Sequence, residues 1–170
     1  MRTRRSRSDL ATATVRPSGR CAVIREGRSL PEHVLDTLPQ LVEELSKEEH
    51  LVGVYGFGGL ASGRLNPLSD LDFGILLSTR LNARERHGLF LELLGVFNRI
   101  LGTDEVDLIV MNNAPLCFSQ RIFESGRLLF VRNQQELADF WDQVTRYCLD
   151  FRYFKEQFDR AFKEGIGYHG

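Results

Sequence analysis

Apolar residues in this chain follow two alternating rhythms. Across residues 30–50, Val34, Leu35, Leu38, Leu41, Val42 and Leu45 recur at three- and four-residue intervals, the spacing of one helical face. Pro31 suits a first helical turn, and Pro39 inside the pattern marks a kink or a break. Residues 50–57 then read as a short apolar strand ending in glycines, and Leu71–Leu77 as a second strand. Helical spacing returns over 81–101, with Leu89, Phe90, Leu93, Leu94, Phe97 and Ile100 turned inward. Residues 106–111 form a third strand. The segment APLCFSQRIFESG reads as a helix closed by Gly126, and RLLFV as a fourth strand. Residues 134–163 make a long amphipathic helix. This order predicts an α+β fold, a small mixed β-sheet flanked by helices, and not a regular alternation of parallel strands with helices. No internal repeat interrupts it.

Bulk composition narrows the class. At 170 residues with 42% hydrophobic content, the chain suffices for one domain that buries about 70% of its unfolded surface. No apolar run approaches the ~20 residues of a membrane span, and a cytoplasmic protein is expected. The net charge of −1 conceals an asymmetry. Residues 1–20 hold six arginines (Arg2, Arg4, Arg5, Arg7, Arg16 and Arg20) against Asp9, a local +5, which leaves −6 for the remainder. An acidic body is a poor surface for a nucleic-acid backbone, so direct nucleic-acid binding is not expected of it. Residues 1–29 read as a basic flexible arm and 30–170 as the folded domain. The arm shares the Arg- and Ser-rich composition of transit peptides, but it has no amphipathic stripe, and its paired arginines precede no apolar stretch. Cys21, Cys117 and Cys148 are widely spaced with no CxxC, a pattern of a reducing compartment without structural zinc.

The chemistry concentrates in VYGFGGLASGRLNPLSDLDFGILL, residues 54–77. A glycine turn lets backbone N–H groups approach phosphates. On a strand, residues i and i+2 share a face, so Asp70 and Asp72 project to one side while Leu71 and Phe73 take the other. Asp107, in EVDLIVM, opens another apolar strand in the same way. Three carboxylates gathered at a sheet edge repel one another unless a cation joins them, and such oxygen ligands favour Mg²⁺ or Mn²⁺ over zinc. Taken alone, Asp-x-Asp is common in solvated turns, and it is the glycines upstream and the third acid downstream that give it weight. Gly56-Phe57-Gly58-Gly59-Leu60-Ala61 also fits the dinucleotide fingerprint G-x-G-x-x-G/A. Its context excludes that reading: Gly63-Arg64-Leu65-Asn66-Pro67 breaks any helix after about one turn, and the next strand follows too soon for a crossover.

At these residues the chain resembles the nucleotidyltransferase superfamily of DNA polymerase β type, and within it the small MNT (minimal nucleotidyltransferase) branch. That pattern is Gly-Ser, ten residues, Asp-x-Asp, then a third Asp on a later strand. Here Gly58-Gly59, residues 60–69, Asp70-Leu71-Asp72 and Asp107 match its spacing. Asn112-Asn113-Ala114-Pro115, ESGRLLF and the aromatic last helix extend the likeness over residues 30–165. Gly59 stands where the family usually has Ser, and Ser62 where many MNT proteins have Arg. The resemblance implies a palm-like nucleotidyltransferase fold with Asp70, Asp72 and Asp107 as metal-binding and catalytic acids. It implies nucleotide binding at Gly58, Gly59, Gly63, Arg64 and Ser69, with ATP as substrate. It also implies a partner, since MNT proteins are commonly antitoxins that transfer AMP from ATP to a tyrosine of a HEPN ribonuclease toxin. Two alternatives stand beside this: a degenerate module of the same fold that blocks a toxin by contact, and a small-molecule nucleotidyltransferase of the aminoglycoside-modifying kind. The second lacks a large extra domain for its substrate.

On the last helix, Phe140, Trp141, Val144, Tyr147, Cys148, Phe151, Phe154, Phe158 and Phe162 form a stripe. Its first half reads as core, and Phe158 and Phe162 as an apolar patch suited to a helical partner. Arg80 and His87 share the spacing of a HEPN ribonuclease motif by chance. His33, His50 and His169 have no companions at ligand or triad spacing.

Overall fold

The computed structural model describes residues 30–165 except 32 and 66–68, with the backbone alone at 163–165. The arm, Cys21, His169, and Asn66-Pro67 lie outside the described residues. A 3₁₀ turn (Val34–Thr37) leads into α1 (Leu38–Leu45), followed by β1 (Leu51–Phe57), the one-turn α2 (Gly59–Ser62) and β2 (Leu71–Leu77). Then come α3 (Ala83–Leu101), β3 (Val106–Val110), a 3₁₀ turn, α4 (Leu116–Ser125), β4 (Arg127–Val131) and α5 (Gln134–Gly165). The sheet order is β3-β2-β1-β4. β1 is antiparallel to β2 and β4, while β2 and β3 are parallel. A parallel pair needs a long crossover, and the 19-residue α3 supplies it.

Period-two alternation splits the core into two layers. Val54, Leu71, Phe73, Ile75, Leu77, Val106 and Leu108 meet Leu41 and Leu45 of α1 and Leu89, Leu93, Phe97 and Leu101 of α3. The Phe73 and Phe97 rings meet edge-on at 4.8 Å. The opposite face packs Val52, Tyr55, Leu76, Met111 and Ile122, with Phe118 and Phe123 of α4 and Leu137 and Phe140 of α5 against them. Each fully buried Leu or Phe contributes roughly 1.5–3 kcal/mol, so the first layer, with far more such residues, carries most of the fold.

Several boundaries differ from the sequence reading, each for a physical reason. Proline lacks an N–H and is tolerated in a first helical turn. Pro39 accordingly starts α1 instead of kinking it, and the helix stops at Leu45, short of residue 50. Leu35 is half exposed. α3 begins at Ala83 because Asn82 caps it: its Oδ1 accepts from the N–H of Arg84 and Glu85, and Glu85 Oε2 accepts from Asn82 N–H at 2.8 Å. Arg80 therefore lies outside the helix that carries His87. Leu101 is the fully buried residue at the end of α3, where Ile100 was expected, and Ile100 packs beside it half-buried. Gly126 ends α4 with extended backbone (φ −84°, ψ 166°) instead of a left-handed cap. It is needed for proximity, since a Cβ there would strike the Ile122 carbonyl oxygen.

Candidate active site at the entrance of β2

β1 delivers the chain to Phe57, which stands opposite Asp72 in the antiparallel register. Gly58 follows with φ 62° and ψ −129°, a conformation L side chains avoid. A Cβ on Gly58 would also collide with Oδ2 of Asp72. The glycine thus serves twice, allowing the turn and making room for the carboxylate. In α2, Ser62 N–H donates to Gly58 O at 3.2 Å, and Gly63 (φ 67°) ends the helix in the left-handed region. Arg64 N–H donates to Gly59 O at 3.1 Å, closing a compact loop with an exposed Arg64 side chain.

Gly59 differs from Gly58. A Cβ there would meet Leu65 Cδ2 at 3.2 Å and Arg64 O at 3.4 Å, contacts that a small shift of the Leu65 side chain relieves. A side chain fits at 59 and not at 58.

After the undescribed 66–68, the chain resumes at half-buried Ser69 and exposed Asp70, one residue before β2. Leu71 N–H donates to Glu105 O at 3.0 Å, which starts the parallel ladder. In that ladder Asp72 stands directly opposite Asp107. Opposed residues on neighbouring strands project from one face, about 4.8 Å apart across the ladder. Both carboxylates are half-buried, and Ser69, Asp72 and Asp107 are each engaged by neighbouring groups. The structure therefore brings Asp72, Asp107 and Gly58 together and sets Asp70 at the threshold. Among the described residues, no three His, Cys, Asp or Glu side chains converge as a ready-made metal cage. A carboxylate pair with an exposed third acid nevertheless fits Mg²⁺ or Mn²⁺, because such ions bind through one or two carboxylates and complete their shell with phosphate and water oxygens.

The family model for polymerase beta nucleotidyltransferases matches residues 39–135, a span that holds the whole sheet and every candidate residue. The chain belongs to this family. No curated protein matches it. Among the solved structures that this chain resembles, three share the fold as follows. One is a toxin–antitoxin complex with AMP-PNP (19% identity, TM-score 0.53, covering 77% of this chain and 97% of that one). Another is a tri-AMPylated HEPN toxin with an MNT antitoxin from Shewanella oneidensis (17%, 0.52, 78% and 98%). A third is the toxin–antitoxin MntA–HepT (18%, 0.51, 78% and 98%). At these identities the likeness establishes the fold.

Within this nucleotidyltransferase fold, two residues have supporting roles that the sequence reading did not assign. Asn112, just past β3, donates from Nδ2 to Leu77 O and accepts at Oδ1 from Leu77 N–H, both at 2.9 Å. The amide acts as one further rung between β3 and β2 and holds the strand that carries Asp107. Gly74, two residues beyond Asp72 on the same face, lets Met111 and Ile122 press onto the sheet. An Asn directly after an apolar strand was the available signal for the first. Two of the described histidines are engaged elsewhere: exposed His33 faces Asp36 at 3.3 Å, and His87 stacks on Phe90. A polar cavity of about 580 Å³ lined by Glu49, His50, Arg80 and Arg132 opens at the other end of the sheet.

Proposed function

We propose that this nucleotidyltransferase is an antitoxin that transfers AMP from ATP to a tyrosine hydroxyl of a HEPN-family toxin. The observation that carries the chemistry is the lateral pairing of Asp72 with Asp107 beside the Gly58 turn. The partner is supported by the neighbours: a tri-AMPylated HEPN toxin in complex with an MNT antitoxin, the MntA–HepT toxin–antitoxin, and a toxin–antitoxin complex with AMP-PNP.

Residues 58–64 and Ser69 receive the triphosphate, through the N–H groups that a first helical turn leaves without helical acceptors and through the Arg64 guanidinium. A magnesium ion bound by Asp70, Asp72 and Asp107 supplies the positive charge that two adjoining carboxylates and a triphosphate require. The tyrosine oxygen attacks the α-phosphorus in line, the new O–P bond forms, the α–β anhydride bond breaks and pyrophosphate leaves. A phenol of pKa about 10 keeps its proton at neutral pH, so that proton must pass to a base as attack proceeds. Asp107 is the carboxylate assigned to it. The exposed aromatic half of α5 is the surface assigned to the helical toxin.

A second reading is a contact-only antitoxin of the same fold, favoured by Gly59, which offers no hydroxyl to the phosphates. The double variant Asp70→Asn/Asp72→Asn separates the two. Loss of protection from the toxin with the complex intact supports transfer. Protection that survives the substitution assigns the chain to contact alone.

A further inference from the structure

α4 and α5 pack against each other, and their contact contains Cys117 and Cys148. Cys117 lies half-buried in the first turn of α4, and Cys148 is buried midway along α5. Their Sγ atoms are 2.7 Å apart although 31 residues separate them in sequence. That separation lies between the ~2.05 Å of an S–S bond and an ordinary contact of two thiols, so a small movement brings the sulfurs within bonding reach. We propose that Cys117 and Cys148 are a covalent modification site, closing an intramolecular disulfide by exchange with a small-molecule disulfide of the oxidised-glutathione class.

The geometry orders the steps. Cys117, the more accessible, attacks the small disulfide as its thiolate, forming a mixed disulfide and releasing one small thiolate. Cys148 then gives its proton to solvent, attacks Sγ of Cys117 and expels the second small thiol. Two protein thiols lose two electrons and two protons, and one small disulfide becomes two thiols. Burial, reinforced by the Cys117 contact, pushes the Cys148 thiol up to about 11; Arg152 favours its thiolate and Glu124 opposes it. This places Cys148 second, as the resolving thiol.

The position gives the bond a consequence. Cys148 is the last buried residue of α5 among the described ones, and Leu149, Phe151, Tyr153, Phe154, Phe158 and Phe162 beyond it are all half or more exposed. A Cys117–Cys148 bond fastens α5 to α4 at the root of that uncovered stretch.

The test uses the full chain carrying Cys21→Ser, incubated with oxidised glutathione, alkylated and weighed intact. The expected product is lighter by two hydrogen atoms, takes no alkyl group and is restored by dithiothreitol. In the same background, Cys148→Ser should accumulate a glutathione adduct on Cys117. Peptide mapping of the unsubstituted protein should yield the linked Cys117 and Cys148 peptides, which guards against a misfolded variant. Two alkyl groups on the treated folded protein, or a lasting glutathione adduct on Cys117 with Cys148 present, would overturn the proposal.

Discussion

On the side of the sheet facing α1 and α3, β2 presents Leu71, Phe73, Ile75 and Leu77, none more than 1% exposed. On the side facing α4 and α5 the same strand presents Asp72, Gly74 and Leu76. The first face is apolar from end to end, whereas the second grades from carboxylate to glycine to leucine. One strand thus divides two duties by its period-two geometry. The fold rests on the first face, which frees the entrance of the second to hold two neighbouring acids.

Substitutions should separate the two duties. The largest effect is expected from Asp72→Asn or Asp107→Asn, each lowering AMP transfer about a thousandfold or more, as removal of charge stabilisation worth several kcal/mol requires. Thermal melting should show those variants still cooperatively folded, because the fold rests on the opposite face of the strand. Phe73→Ala, one residue away on the other face, should cost about 3–5 kcal/mol of stability by chemical denaturation. A Phe73→Ala protein that kept its stability would break the comparison. On α5, Phe154→Ser with Phe158→Ser should weaken a toxin complex about a hundredfold by calorimetry, with stability changed by no more than about 0.5 kcal/mol. The smallest effect is a gain: Gly59→Ser should tighten ATP binding about tenfold, one charge-assisted hydrogen bond's worth, because the site accepts a side chain there.

Much of this was legible in the chain, and the exceptions share a cause. β2 and β4 read directly, since apolar runs bounded by turn residues leave little choice of register. The acids were legible only in part: strand period fixes which residues share a face, but the register that sets Asp72 opposite Asp107 is tertiary, and Asp70 falls one residue before β2. The starts of α3 at Ala83 and of α1 at Leu38 were missed because apolar spacing is blind to helix caps and first turns. Exposure along α5 was placed too late in the sequence. It starts at Tyr147 and not at Phe158, and a helical stripe reveals which residues share a face without revealing what covers it. The Asn112 clamp to Leu77 and the Cys117–Cys148 contact join residues more than thirty positions apart. Their pairing is set by how elements pack, and no local pattern records it.

The central claim is that the acids at the entrance of β2 transfer a nucleotide. Its most direct measurement is incubation of the chain with α-labelled ATP, Mg²⁺ and a HEPN-family toxin that it neutralises. The account predicts label on a tyrosine of that protein, pyrophosphate released in equal amount, and neither product from Asp72→Asn. Label on the partner with Asp72→Asn and Asp107→Asn as effective as the unsubstituted chain, or a partner that stays unlabelled while it is fully neutralised, would contradict it.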